Sequence, residues 1–321
     1  MSDHKEAKSF SRFGYIMVAA GAAIGLGNIW KFPYLAYGDG GGAFVLIYIV
    51  ICILLGHPIV QAEQAVGRRG RASAAASYGV IHPKWRFVGV INIVCTFLID
   101  IYYLVVSGWV LKYFVTYVVS GDFGKDKQAY FDNYISSTTQ PLIHSLVIIA
   151  IIVFFLFFGI TNIVEKASKV IMPMLAVLLL VCGIYALIVV PGAVDGLKYY
   201  FVPDFSKFGM QQFADACMQV CFSVGIGWGI FTTLGASMDK DANLKADAWW
   251  VDICDTFIAL LAGFVIIPTV VGTGSEMSSG PSLVFVAMTQ IFETLPGGRM
   301  IGIFFFASLI FAVISTFFYD S

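Results

Sequence analysis

Gly14–Asp39 reads GYIMVAAGAAIGLGNIWKFPYLAYGD. It has the length and apolar content of a membrane-spanning helix, for which roughly 20 residues suffice. Yet Gly21, Gly25 and Gly27 fall near its middle, with Asn28 directly behind them. Glycine is the residue least able to hold a helix. In hydrocarbon an interrupted helix bares N–H and C=O groups, which is tolerable only where protein, ligand or ion satisfies them. The interruption is therefore a candidate binding site. The competing use is packing, since small residues four apart, as Gly21 and Gly25 are, let two membrane helices approach closely. Asn28 tips the balance, because an amide among free carbonyls is a good ligand for a hard cation. A dinucleotide loop is excluded: Trp30 stands where its third glycine belongs, and no soluble strand precedes it.

The rest of the chain has the same character. Hydrophobic residues fill 59% of 321 positions and charged ones 12%, and mean hydropathy is +0.86. Soluble domains are about a quarter charged, so the composition is that of an integral membrane protein. A net charge of −1, with no basic cluster, excludes a nucleic-acid partner. The six cysteines lie in apolar segments without a C-x-x-C pair, and the four histidines share no ligand spacing. The N-terminus MSDHKEAKSFSR is no signal peptide.

Eight spans are expected, near 14–37, 43–66, 88–118, 142–159, 168–190, 212–237, 249–273 and 298–321, with the longest polar connections at 119–141, 191–208 and 274–297. With the N-terminus inside, 12 of the 19 lysines and arginines fall on the inner side, so a cytoplasmic N-terminus is the better orientation. Glu63 is a charge within or at the rim of the second span, where a partner or pathway is expected. The sixth span repeats the peculiarity of the first: Gly225, Gly227 and Gly229 alternate behind Ser223 in CFSVGIGWGIF. Paired interrupted helices at corresponding places in two halves point to an inverted-repeat transporter with a midplane site. Asp252 and Asp255 share one face of the seventh span; one reading leaves both solvated near the inner rim, evenly balanced for Asp252, while Asp255, a turn deeper, is expected to meet a cation. Ser315 and Thr316 either bond back to their own helix or complete an ion's oxygen shell.

At this point the residues resemble the neurotransmitter:sodium symporters, whose bacterial members carry amino acids. The resemblance rests on GAAIGLGNIWKFPY (Gly21–Tyr34), GGGAF (Gly40–Phe44), PIVQAEQAVGR (Pro58–Arg68), the Tyr103–Trp109 spacing, QVCFSVGIGWG (Gln219–Gly229), DTFIALLAG (Asp255–Gly263) and FAVIST (Phe311–Thr316). These run in order over nearly the whole chain. The resemblance implies an all-α membrane protein of LeuT-like inverted-repeat fold, with helices 1 and 6 unwound mid-membrane. Residues 1–13 would be a cytoplasmic segment, 14–190 the first five-helix repeat and 191–321 about three helices of the second.

The resemblance also implies two sodium sites and no organic cofactor. The first would use Ala23, Asn28, Ser223 and Asp255, together with the substrate's carboxylate; the second would use Gly21, Ile24, Ala312, Ser315 and Thr316. The substrate carboxylate would sit on the N–H groups of Leu26 and Gly27, near a positive half-helix end, and on Tyr103. Carbonyls around Ala23, Phe222 and Ser223 would take the amino group, Phe222 would lid the site, and Ile99, Gly225, Trp228 and Thr316 would shape the pocket. Lys31 would stand at the outer gate, and Glu63 would buttress the unwound segments. Gly25, where monoamine carriers of the family place an aspartate, implies a substrate bringing its own carboxylate, hence an amino acid.

Several positions depart from the family pattern. Ala22 loses an amine contact made by an asparagine in the leucine carrier, and Asp320 falls at a pocket position that is apolar there. Asp255 replaces an asparagine, and Ala259 stands where chloride-dependent members have serine, so chloride independence is expected. Glu6 and Ser9 do not match the inner-gate arginine and tryptophan. Family members have eleven or twelve helices, so a C-terminally truncated carrier is expected. The expected activity is sodium-coupled symport of a small amino acid in the plasma (inner) membrane, with a possible homodimer. The alternative is a non-transporting subunit that associates with full-length carriers. An enzyme, the intramembrane aspartyl protease, is set aside because its G-x-G-D motif here reads Gly25-Leu26-Gly27-Asn28.

Overall fold

The computed structural model describes residues 11–25, 27–157, 161–239, 241–274 and 282–320, with backbone alone described at 161–164, 207, 273, 282–283, 315 and 318–320. Every regular element among them is a helix. α1 (Arg12–Ala23) starts at Ser11, whose hydroxyl accepts from Gly14 N at 3.1 Å and so satisfies one orphan amide of the first turn. Helical bonding stops at Ala23 and resumes in a π turn at Gly27–Lys31 that runs into α2 (Phe32–Gly38). The two halves meet at 59°.

α3 (Gly42–Ile51) passes through a second π turn, Cys52–Gly56, into α4 (His57–Gly70). The short α5 (Ala74–Ile81) leads to α6 (Arg86–Val119), whose 34 residues make it the longest described helix. After it come α7 (Lys127–Ser136), α8 (Thr139–Phe157), α9 (Thr161–Val189) and α10 (Ala193–Phe201). The sixth expected span is divided into α11 (Met210–Val224) and α12 (Ile230–Ala236). At about 1.5 Å per residue, the 15 and 7 residues of these pieces each fall short of a bilayer core of about 30 Å. α13 (Leu244–Thr273), α14 (Ser282–Thr294) and α15 (Gly298–Asp320) complete the described chain.

Among the described residues, five runs are long and apolar enough to cross a membrane, and the bent pair at the start makes six. The expected eight differ because α11 and α12 are separate and α15 is counted only over Gly298–Ile314. The three connections expected to be polar loops each hold a helix: α7, α10 and α14.

α1 occupies the centre. Gly14–Ala23 are all buried, and the helix packs against α9, α13 and α15. α6 and α8 lie outside, exposing Val94, Phe97, Leu98, Ile101 and Phe154, as lipid-facing helices do. Without a hydrophobic drive between helices in lipid, close approach of small residues holds such bundles together. A Cβ on Gly108 of α6 would stand 2.8 Å from the Ser145 amide of α8. Gly67 of α4 and Gly235 of α12 likewise lie against each other's helix backbone, at Thr232 and Gln64. The packing use of glycine is thus real in this protein, but at positions other than the two interruptions.

Candidate ion and substrate site

The two helix interruptions face each other across a polar cluster. At the second, Gly225, Gly227 and Gly229 take φ of 75°, 82° and 82°, left-handed values that side chains with a Cβ adopt only at a cost of about 1–2 kcal/mol per residue. That explains the alternating glycines. They let α11 end at Val224 and α12 begin afresh at Ile230.

Asn28, Ser223 and Asp255, drawn from the first interruption, α11 and α13, meet in one buried knot. Asn28 Nδ2 donates to Asp255 Oδ1 at 2.7 Å and to Ser223 Oγ at 2.9 Å. Ser223 Oγ donates to Asp255 Oδ2 at 2.9 Å, while the Tyr48 hydroxyl donates to Ser223 Oγ at 3.3 Å. The donor set is all oxygen and amide and includes a carboxyl group, which is the chemistry that suits a hard cation. The Asn28 orientation differs from the expected one. Its amide oxygen accepts from Gly25 N at 3.1 Å, and its nitrogen faces the carboxylate, because two carboxylate oxygens call for a donor. Coordination through the amide oxygen requires that side chain to turn over.

The second expected ion site is partly assembled. The Thr316 hydroxyl reaches the Ala312 carbonyl at 3.0 Å, one turn back on α15, and the Ala22 carbonyl of α1 at 3.3 Å. It therefore both bonds to its own helix and bridges to the end of α1. Gly21, Ile24 and Ala312 are buried close by. Leu26, Asp320's side chain and Ser315's side chain lie outside the described residues.

Several of the residues expected to meet the substrate also lie together. The Tyr103 hydroxyl lies 2.5 Å from where a Cβ on Gly25 would stand, and the Phe222 ring edge 2.6 Å from one on Gly27. Both glycines therefore admit an aromatic group close to bare backbone. Phe222 meets Trp228 edge-on at 5.4 Å, and Gln219 Nε2 donates to the Gly27 carbonyl at 3.3 Å. Lys31 Nζ sits 4.1 Å above the Phe222 ring, a cation–π contact that joins the expected gate to the expected lid. Ala23 is buried at the end of α1, and Ile99 is half-buried on α6 one turn before Tyr103. Glu63 is buried on α4, where Oε1 accepts from Gly227 N at 2.8 Å. It supports the second interruption, and no described contact takes it to the first.

Two long-range pairs, one half-exposed and one buried, were not legible in sequence. Arg12 Nε binds Asp247 Oδ1 at 2.8 Å, tying the start of α1 to α13. This contact lies near where the family's inner-gate residues are unmatched. His57 Nδ1 lies 2.8 Å from Asp252 Oδ2, so Asp252 is paired and buried rather than solvated. Its clue was a histidine and an aspartate inside two apolar spans.

The pattern of the Sodium:neurotransmitter symporter family matches residues 7–122 and 128–320. The chain belongs to that family. It is 33% identical to an uncharacterized sodium-dependent transporter of Haemophilus influenzae, over 95% of this chain and 70% of that protein. It is also 33% identical to the uncharacterized sodium-dependent transporter YhdH of Bacillus subtilis, over 98% of this chain and 71% of that one. The crystal structure of MhsT in complex with L-phenylalanine superposes with a TM-score of 0.91 at 34% identity, covering 98% of this chain and 73% of MhsT. These matches account for nearly all of the chain and for 70–73% of the length of each of these relatives. Membership places the chain among multi-pass sodium-dependent transporters rather than enzymes.

Proposed function

We propose that this family member is a sodium-coupled amino-acid symporter that works by alternating access, with two sodium sites and no need for chloride. The observation that carries the reading is the buried meeting of Asn28, Ser223 and Asp255, which joins both helix interruptions to α13. Sodium there would take the Asp255 carboxylate, the Ser223 hydroxyl and, once turned, the Asn28 amide oxygen, with the Ala23 carbonyl. A second sodium would lie between the end of α1 and α15, at Gly21, Ile24, Ala312, Ser315 and Thr316. The substrate carboxylate would rest on the backbone N–H groups at Leu26 and Gly27 and on the Tyr103 hydroxyl. Phe222 would close over it, with Ile99, Gly225, Trp228 and Thr316 around its side chain.

The halves 14–190 and 191–321 would be the repeats that rock against each other, with the interrupted helices unwound in mid-membrane. Lys31 on Phe222 would close one side and Arg12 on Asp247 the other. Asp255 supplies a fixed negative charge in the knot, so an anion is not needed to balance sodium, and Ala259 one turn on offers chloride no hydroxyl. L-Phenylalanine, bound in MhsT, is the first substrate to try. The family pattern runs through both site helices, which leaves nothing to favour a non-transporting subunit.

The test is binding of radiolabelled L-phenylalanine and L-alanine to the purified protein, with sodium exchanged for choline and chloride for gluconate. Binding should fall at least tenfold without sodium, since the two ligands are reciprocally coupled, and should not change without chloride. Sodium-independent binding of unchanged affinity would refute the coupling.

A further inference from the structure

The end of α6 meets α7, α14 and the start of α15 around a cavity of about 40 Å³, whose polar lining is Tyr117, Lys127, Thr289, Glu293 and Arg299. Tyr117 lies about 21 Å beyond Tyr103 along α6, so the cavity is no part of the sodium knot or the substrate pocket. Lys127 is 6% exposed and Tyr117 3%.

What these groups already bind decides what the cavity takes. Lys127 Nζ pairs with Glu293 Oε2 at 2.7 Å and donates to the Gly124 carbonyl, which leaves one of its three hydrogens unspent. Arg299 Nε donates to the Tyr117 carbonyl at 2.9 Å, and Nη2 to the Val118 and Val119 carbonyls at 2.6 and 3.2 Å. The guanidinium thereby caps the last turn of α6, and its Nη1 has no partner among the described residues. The Tyr117 hydroxyl is buried and likewise has none among them. Thr289 spends its hydroxyl hydrogen on the Phe285 carbonyl of its own helix. The unspent groups on the cavity wall are thus hydrogen donors from a tyrosine, a lysine and an arginine. Glu293, with a side chain 63% exposed, satisfies its second oxygen with solvent. Lys127 and Glu293 cancel in charge, while Arg299 adds a unit that the C-terminus of α6 offsets by about half. A buried wall of donors with positive charge left over matches an anion.

We propose that this cavity is a binding site for one small inorganic anion, a halide, which ties α7 and α14 to the junction of α6 and α15. Size selects the class. A volume of about 40 Å³ holds roughly three water-sized spheres, too few for a phosphate or an amino acid. The Tyr117 hydroxyl, Lys127 Nζ and Arg299 Nη1 supply the hydrogen bonds. The anion holds this end of the molecule together and does not enter the sodium knot, so the inference stands apart from the sodium reading and from the chloride independence of transport.

The test uses the purified full chain in sodium-free choline buffer of constant ionic strength, with gluconate replaced stepwise by chloride. Chloride should raise the melting temperature along a saturating curve, bromide should do the same, and the chlorine NMR line should broaden with protein and narrow again when bromide competes. Chloride should also slow amide hydrogen exchange over residues 127–136 and 284–294. Lys127→Met and Arg299→Gln break an ion pair and a helix cap as well, so Tyr117→Phe, which removes only the hydroxyl, is the deciding variant. It should need about tenfold more chloride for the same rise, the loss of one hydrogen bond to a charged acceptor. A melting temperature and a line width both indifferent to chloride would overturn the site and leave the cavity to water. Equal chloride dependence in wild type and Tyr117→Phe would put the anion elsewhere on the chain, and overturns the site as well.

Discussion

Replacing Asp255 by asparagine removes the one charge from the knot while keeping its shape. The carboxylate is fully buried and accepts from Asn28 Nδ2 at 2.7 Å and Ser223 Oγ at 2.9 Å. Asparagine keeps one acceptor oxygen and puts an NH₂ where the other stood, so either Asn28 or Ser223 has to reorient. A unit charge about 4 Å from a cation is worth about 4 kcal/mol at an effective dielectric constant of about 20. Part of that is offset because the neutral residue avoids the cost of burying a charge. A net loss of about 2.7 kcal/mol, or about a hundredfold in sodium affinity, is the expected outcome. Because that same desolvation cost disappears, the melting temperature in sodium-free buffer should hold or rise, which separates lost binding from lost fold. The assay is a sodium titration of labelled amino-acid binding. A sodium midpoint within about threefold of wild type, in a protein of unchanged melting temperature, would refute the role given to Asp255.

Gly25→Ala places a Cβ 2.5 Å from the Tyr103 hydroxyl and should weaken amino-acid binding at least tenfold; adding Tyr103→Phe should restore part of it, and equilibrium binding checks both. Gly227→Ala meets no atom within 4 Å but keeps φ of 82°, so it should cost about 1–2 kcal/mol from the backbone alone. Gly124→Ala, with φ of 71° and equal room, should cost about as much in thermal unfolding and leave uptake intact. Arg12→Ala should lower stability by less than about 1 kcal/mol, because the arginine side chain is 59% exposed, yet speed amide hydrogen exchange over residues 12–19. Burial, then the neighbouring Asp215, push the Asp39 carboxyl up to about 6, against a partial opposing hydrogen bond from Gln212. The folded state therefore prefers the protonated acid, so its penalty is absent below about 3.8, grows up to about 6 and stays constant above that. Asp39→Asn should raise the melting temperature at pH 7.5, by no more than about 1 kcal/mol equivalent given the half-exposed group, and should not change it at pH 4.

How much of this was legible in the sequence depends on the kind of interaction. Asn28, Ser223 and Asp255 stood out because polar residues beside glycine inside apolar runs are costly in lipid unless they meet, and they do meet. The alternating glycines of the sixth span announced a break, and α11 and α12 are separate helices. The helices α7, α10 and α14 were missed because, at 9 to 13 residues, they are too short to carry a span signal. Arg12–Asp247 and His57–Asp252 join residues 235 and 195 positions apart, and nothing in a single sequence says which distant charges will share a contact. The Asn28 amide orientation was out of reach for the same reason, since the Gly25 amide and the Asp255 carboxylate decide it together.

The most direct test of sodium-coupled symport is uptake of labelled L-phenylalanine and a panel of other amino acids into proteoliposomes holding only this chain, with a sodium gradient imposed in chloride-free buffer. The account predicts uphill accumulation of at least one amino acid, abolished when the gradient is collapsed and when Asp255→Asn replaces the wild type at moderate sodium. Accumulation of any of them that persists without a sodium gradient, or no flux of any from a well-folded protein that binds it, would contradict it.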